Sequence, residues 1–379
     1  MTAMTEVRPL PITGCGVVST AGLGLGALGG LLRGDAAAPA VTAEDSADDL
    51  GPPRDTLPVR DLRLADHVGR KGTRHIDRLT ALSLVASRQA LAPSGAGPAR
   101  ATDRRPDTGV VLGTSTGSVT SMARMSRDTL TQDPPYLVNP AEFPNMVMNA
   151  AAGQVAIWNG LAGPNATVAA GQVSALFAVR QARSTLNAGR AARLLVGGVE
   201  ELSPYSAWAW HRSRALERDA ALGEGCAVVV VEPAAAPVLG VLLACEVRLC
   251  APDAEDVAAG LVACIRRALQ RSGVEPEQVE RVALGSGGLR RLAGAERRAV
   301  AATLGTGAEL LDVASALGVT YSASGALQVA ALLALLDEDG DAAPGADRFA
   351  VATSAGPDGN VGCLVLGRPV TVRRAAPPA

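Results

Sequence analysis

Apolar positions follow two different spacings along this chain, and each change of spacing marks a strand giving way to a helix. Short apolar runs bounded by glycine or polar residues predict buried strands at 108–113, 193–197, 226–232, 238–248, 281–285, 349–354 and 361–366. Another strand begins at 10–13. Apolar residues at helical spacing predict helices at 25–32, 73–92, 119–130, 145–158, 256–273, 295–304 and 324–336. In the helix at 73–92 the apolar side is Ile76, Leu79, Leu82 and Leu84. Residues 34–60, 93–107 and 133–144 read as loops, and 368–379 as a frayed tail.

One stretch organises the pattern. Residues 163–177, GPNATVAAGQVSALF, run from a short strand at 166–170 through small residues directly into a helix that Gly189 closes. Val173, Leu176, Phe177 and Leu186 form one helix face, and Arg180, Arg183, Ser184 and Asn187 share another. A residue at such an elbow is pushed outward beside helix N-terminal amides, a geometry enzymes use to present a nucleophile. Here that residue is Gln172, an amide that is no nucleophile. The same strand–helix grammar recurs in the second half, again with a strongly apolar helix, at 324–336. This predicts a duplicated, layered α/β protein with halves at 1–235 and 236–379.

Composition narrows the function classes. Hydrophobic residues make up 48% of the chain but aromatics only 2%, so the layers pack through small side chains. A net charge of -2 gives no case for a nucleic-acid partner. Lys71 is the single lysine. The six cysteines are scattered without a CxxC pair, which argues against zinc and reads as reduced, buried thiols of a cytoplasmic protein. The opening MTAMTEVRPL lacks a leader pattern, and the apolar stretch 322–336 is too short to cross a bilayer. GCGVVS at 14–19 is a partial dinucleotide fingerprint. Ser19 stands in its last glycine position and no acidic residue follows at the right distance, so a structural strand–turn–helix is the better reading.

Seven segments, in order and spacing, resemble the ketosynthase branch of the thiolase fold. They are PITGCGVVSTAGLGLGALGGLLRGD, VLGTSTGSV, NAAAGQVAIWNGLAGPNATVAAGQ, LLVGGVEELSP, LGEGCAVVVVEP, SASGALQVAALLALL and TSAGPDGNVGCLVL. The resemblance covers nearly the whole chain. It implies a five-layered αβαβα core that dimerises through the strand before the elbow. An active member needs a cysteine at the elbow and two histidines in the second half. The thiolate attacks an acyl thioester while the imidazoles assist decarboxylation of malonyl-carrier and stabilise the oxyanion. On the matching positions this chain carries Gln172, then Gly285 in GSGGL where the family has HGTxT, then Val319 in GVTYSASG. The family's lysine before the second histidine motif has no counterpart. His67, His75 and His211 all lie in the first half, and no cysteine lies between Cys15 and Cys226. His75, read within the helix at 73–92, suits a structural or surface role, and His211 reads as a loop residue after Trp208 and Trp210.

A ketosynthase fold with glutamine at the elbow and both histidines lost resembles the chain length factor, the ketosynthase beta subunit of bacterial type II polyketide synthases. That implies a catalytically inactive subunit with no cofactor and no metal. Its implied partners are an active ketosynthase alpha, as a heterodimer, and an acyl carrier protein bearing malonyl and polyketide chains, with no nucleic acid and no membrane. The chain grows from the partner's cysteine into an interface tunnel whose floor limits the number of extensions sterically. The implied tunnel residues are Val119, Thr120, Met122, Ala123 and Met125; periodicity leaves open whether the methionines face the tunnel or the subunit's own core. The lack of aromatics there tilts toward a long or reduced polyene chain. The implied partner interface comprises Phe143, Met146, Asn149, Thr167, Val168 and Ala169, and Tyr136 and Phe143 are the aromatics of that region.

Gln172 admits two readings. It either plugs a vestigial pocket by bonding the elbow amides, or serves a malonyl-carrier decarboxylase or other acyl-handling activity. Ser174, the alternative nucleophile, has no base nearby in sequence. Two further departures from the family are a shortened segment at 204–223 and AGPDGN in place of a Phe-containing GFGG turn.

Overall fold

A computed structural model describes residues 8–38, 40–41, 53–94, 104–233, 238–338 and 349–368. Most of the linker at 93–107, the tail beyond 368, much of the loop at 34–60 and the expected boundary between 235 and 236 lie outside the described residues. The first half contains β1 (Leu10–Ser19), β2 (Gly22–Leu23), α1 (Gly24–Arg33), β3 (Thr56–Leu57), α2 (Leu64–Val68), α3 (Arg78–Leu91), β4 (Thr108–Gly113), α4 (Val119–Thr131), α5 (Ala150–Asn159), β5 (Asn165–Val168), α6 (Ser174–Asn187), β6 (Arg193–Glu200), α7 (Pro204–Ser213), β7 (Leu222–Gly223) and β8 (Gly225–Val231). The second contains β9 (Gly240–Leu249), α8 (Ala254–Ser272), β10 (Val279–Leu284), α9 (Leu292–Leu304), β11 (Glu309–Asp312), α10 (Val313–Leu317), α11 (Ser324–Glu338), β12 (Phe349–Ala355) and β13 (Asn360–Gly367).

The strand order is β11-β10-β12-β13-β9-β1-β8-β6-β4-β5, with β2 folded back on β1. It is two copies of one arrangement. β4 runs parallel to β5 and β6, and β6 pairs antiparallel with β8, which pairs with β1. β10 runs parallel to β11 and β12, and β12 pairs antiparallel with β13, which pairs with β9. The two strand sets join where Leu10, Pro11 and Ile12 of β1 meet Leu242, Val241 and Gly240 of β9.

Three apolar clusters fill the spaces beside these sheets. The central one holds Leu176 and Val179 of α6 with Leu327 and Ala331 of α11. The second packs α8 and α9 through Leu261, Ile265 and Ala299, and the third packs α3 and α5 through Leu82, Val85 and Val155. Helix, sheet, helix, sheet, helix is the five-layered thiolase-like architecture expected from the sequence.

Several local expectations are corrected. The helix expected from 73 begins only at Arg78, because the Asp77 carboxylate accepts from the Thr80 amide and caps it there. His75 therefore precedes the helix. The helix expected from 145 begins at Ala150, after a short 3-10 segment at Pro140–Met146. His211 lies in α7, not in a loop; Ser203 and Ser206 form a reciprocal cap at its start. Strand β11 escaped notice because it is a partly exposed, polar-flanked edge. Arg183 does not share an open face with Arg180: it is buried, and its guanidinium donates to the carbonyls of Arg8, Leu242 and Leu243.

GCGVVS lies wholly inside β1, which continues to Ser19 before turning. Its glycines serve packing. A Cβ on Gly16 would stand 1.9 Å from the Ala86 carbonyl oxygen of α3, so only glycine allows that helix to rest on the sheet backbone. Gly16→Val is therefore expected to cost about 3 kcal/mol through overpacking. Gly153→Ala, on α5 with no atom within 4 Å of the added carbon, is expected to stabilise by about 0.5–1 kcal/mol. Thermal melts of the two variants check both signs.

Candidate functional site

The elbow is built by backbone and serine. β5 ends at Val168, Gly171 takes φ +56°, a single 3-10 turn covers Gly171–Val173, and α6 starts at Ser174. The left-handed conformation at Gly171 explains why glycine stands before the elbow residue. Ser174 Oγ donates to the Gly171 carbonyl at 2.7 Å, accepts from the Ala170 amide at 2.9 Å and lies 2.9 Å from Ser115 Oγ. This hydroxyl is fully buried and engaged in holding the turn, so it is not available as a nucleophile.

Gln172 is buried at 1% exposure. Its amide does not bond the elbow amides, as expected from sequence; Nε2 donates instead to the Gly285 carbonyl oxygen at 2.5 Å. Its Oε1 is buried without a hydrogen-bond partner. The fold thus brings together two of the three expected vestigial positions, 113 residues apart. At Gly285 a Cβ would meet Gln328 Oε1 and the Thr353 carbonyl, both at 2.7 Å, so the backbone there has no room for an imidazole. Val319 is buried in the outer cluster of α8 and α9 and presses on Gly288. Its backbone bonds Ala221 and Gly223. No described hydrogen bond links it to Gln172.

Two buried carboxyls, unremarked in the sequence, organise the loops around the elbow. Glu296 of α9 accepts from the amides of Gly285 and Ser286 and from Thr353 Oγ1. Glu200, ending β6, accepts from the hydroxyls of Thr116 and Ser322 and from the Ser115 amide. Burial pushes each up to about 7, against the pull of its hydrogen bonds. Tyr321, at φ +45°, stands against Trp210 with ring centres 4.9 Å apart. Burial and the nearby charges of Asp358 and Glu200 raise its phenol to about 12.

None of the three histidines reaches the elbow through a described hydrogen bond. His75 is exposed and His211 packs edge-on to Trp208 at 5.6 Å. All six cysteines are free, and burial raises every thiol, Cys15 and Cys245 to about 12. Thiolate chemistry is therefore suppressed at each. Among the described residues, no group of three or more His, Cys, Asp or Glu side chains is placed to hold a metal ion, and no helix is long and apolar enough to cross a membrane.

The expected tunnel residues lie on α4. Val119, Thr120, Ala123 and Met125 are half-buried, and Met122 is 42% exposed, so neither methionine is a core residue. The Thr120 amide donates to Glu201, and Thr120 lines a cleft of about 190 Å³ with Asp77, Arg78, Arg124 and Asn145. Of the expected interface residues, Thr167 and Val168 lie in β5, an edge of the sheet, Ala169 follows it, and Phe143, Met146 and Asn149 lie before α5. Phe143, Asn149 and Ala169 are exposed; Met146, Thr167 and Val168 are half-buried. The nearby stretch also exposes Leu130, Tyr136, Leu137, Val147 and Ile157.

A duplicated five-layered core with a strand–turn–helix elbow in its central layer defines a thiolase-like ketosynthase fold. Residues 8–236 match the model of the beta-ketoacyl synthase N-terminal domain, and residues 244–340 that of its C-terminal domain. The chain belongs to the beta-ketoacyl synthase family. It is similar to the actinorhodin polyketide beta-ketoacyl synthase 2 of Streptomyces coelicolor, at 30% identity over 94% of this chain and 91% of that one. Among solved structures it resembles the ishigamide ketosynthase/chain length factor, at 35% identity and TM-score 0.84, covering 95% of this chain and 99% of that one. A type II polyketide synthase acyl-carrier protein in complex with its ketosynthase bound to the hexaketide shares the fold, at 18% identity and TM-score 0.78 over 96% of this chain and all of that one.

The buried carboxyls set a pH dependence. Each has an ordinary value of 4.5 and about 7 in the fold. Between these values the native state keeps a proton that the unfolded chain releases, so stability falls as pH rises through this window and stays lowered above it. Burial also raises Glu201, so Glu296→Gln removes one of several contributions, and the decline in Tm from pH 5 to 8 is expected to become shallower. The glutamine loses one acceptor oxygen, so the slope is the readout. An unchanged slope in melts across that range contradicts the assignment.

Proposed function

We propose that this chain is a non-condensing chain length factor of a type II polyketide synthase. The observation that carries the reading is the Gln172–Gly285 hydrogen bond. Where an active member keeps a thiol and an imidazole, this chain has a side-chain amide bonded to a backbone carbonyl, with no room for a histidine ring at that glycine. A pocket filled in this way binds no acyl group covalently. The family relatives point in the same direction, through the ketosynthase/chain length factor named above.

The chain then acts through its surface. It pairs with an active ketosynthase through the β5 edge and the exposed apolar side chains of Phe143, Val147 and Ile157. An acyl carrier protein brings malonyl units to the partner's cysteine. α4 contributes Val119, Thr120, Met122, Ala123 and Met125 to the shared tunnel. Growth stops when the next unit requires overpacking against these side chains. The absence of aromatic residues from α4 leaves the tunnel wide and favours a long or reduced polyene product.

Co-expression with an active type II ketosynthase alpha and its acyl carrier protein tests this. The chain is expected to co-purify with the ketosynthase, and Thr120→Phe or Ala123→Phe to shorten the product by at least one unit without lowering the yield of complex. A chain that stays monomeric or homodimeric beside that ketosynthase overturns the heterodimer. Unchanged product mass in both variants removes these residues from the tunnel.

A further inference from the structure

The turn after β12 places a carboxylate against the elbow. A Cβ built on Gly171 would lie 2.3 Å from Asp358 Oδ2 and 3.1 Å from the Tyr321 hydroxyl. A Cβ built on Gly356 would lie 2.4 Å from Asp358 Oδ1 and 3.2 Å from Gln172 Cβ. The Asp358 carboxylate therefore fills the gap between the glycine before the elbow and the glycine that faces it. It is an exposed residue by its overall surface, so it closes the gap from the solvent side.

The carboxylate is also held in place. Asn360 donates from its amide to Oδ1 at 3.2 Å and from Nδ2 to Oδ2 at 2.8 Å. The turn beneath is stapled by the Gly356 amide on the Asn360 carbonyl and by the Cys250 amide on the Gly359 carbonyl. Tyr321 flanks it in a left-handed backbone conformation, wedged by Trp210. Gln172 Oε1 is buried without a hydrogen-bond partner. Asp358 and Glu200, both acidic, are the charges that act on the adjacent Tyr321.

We propose that Asp358 is a built-in anion that bars acyl thioesters and anionic reagents from the Gln172 elbow. The proposal rests on the non-condensing reading and adds to it a second barrier, independent of residue 172. An approaching thioester carbonyl meets a fixed oxygen in its path, and any carboxylate-bearing or oxyanionic group meets like charge at close range. Restoring a cysteine at the elbow is then insufficient to restore acylation.

The test uses the full chain with Gln172→Cys, alone and combined with Asp358→Asn or Asp358→Ala; cysteine is smaller than glutamine and fits the same space. Iodoacetamide and iodoacetate serve as neutral and anionic probes. In each case the thiolate displaces iodide and forms a thioether, read at residue 172 by peptide mass spectrometry, with the unaltered chain as the blank for the six native thiols. In the Gln172→Cys chain the anionic probe is expected to react at least about 10-fold more slowly than the neutral one, relative to free cysteine. Asp358→Asn is expected to remove about 10-fold of that difference with little change in the neutral rate, and Asp358→Ala to speed both probes. Equal probe ratios in all three chains, or an introduced thiol at position 172 that stays unlabelled in the Asp358→Ala background, overturn the proposal. Co-purification with the ketosynthase is scored separately on the same samples, so a failed heterodimer leaves the labelling result standing.

Discussion

The first turn of α6 is clasped by glycines from both sheets, and the rest of the molecule is arranged around that contact. A Cβ on Gly113 of β4 would stand 2.6 Å from the Ser174 carbonyl carbon. One on Gly198 of β6 would stand 2.9 Å from Ala175 Cβ, and one on Gly362 of β13 would stand 2.7 Å from Leu176 Cδ1. The helix N-terminus thus touches backbone on both sides at once. That closeness fixes where the elbow stands and which way it points. It also explains a composition rich in alanine and glycine and poor in aromatics: a Phe or Trp in the central layer would wedge the two sheets apart.

The duplication extends to this turn. The 3-10 turn Gly171–Val173 opens α6, and the 3-10 turn Tyr321–Ala323 opens α11, each with a left-handed first residue. In the first copy the second residue, Gln172, reaches across to the backbone that follows β10. In the second copy Ser322 receives the amide of Ser115, in the loop that follows β4. Each elbow is therefore anchored on the loop after the corresponding strand of the opposite half. Glu296 and Glu200 hold those two loops from below, one carboxyl per half, Glu296 accepting the amides of Gly285 and Ser286 and Glu200 sharing the Ser115 amide with Ser322.

Most of the architecture was legible from the sequence because its buried strands are continuous apolar runs with sharp ends. Residues 108–113 and 361–366 are of this kind, and the structure places strands there with shifts of no more than a residue at either end. What escaped depends on contacts between distant residues. Asp77 looked like a helix interior position until its cap on Thr80 was seen. Arg183 sits at a spacing that suggests an open face, and only the carbonyls of β9 and Arg8 explain its burial. The elbow itself was legible, down to Gln172. The partner of its amide was not, since nothing local links residue 172 to residue 285. The roles of Glu296, Tyr321 and Asp358 were hidden for the same reason. A carboxyl in a polar stretch carries no mark in sequence that its oxygens will meet buried amides.

The geometry of the elbow does not depend on the side chain at its tip. The turn depends on Gly171, on the three contacts of Ser174 Oγ and on the packing of Val173 and Leu176. No hydrogen bond that shapes the turn comes from the side chain of residue 172. That position is therefore free to vary without disturbing the turn, and a favourable occupant is one that fills the space there and reaches a buried acceptor. Gln172 does both through Nε2 and the Gly285 carbonyl, while its unpartnered Oε1 shows that the fit is incomplete. Once that amide bridges the halves it also stiffens the junction between α6 and the strand-β10 loop. Residue 172 thereby links the two copies of the fold, beside the edge strand β5.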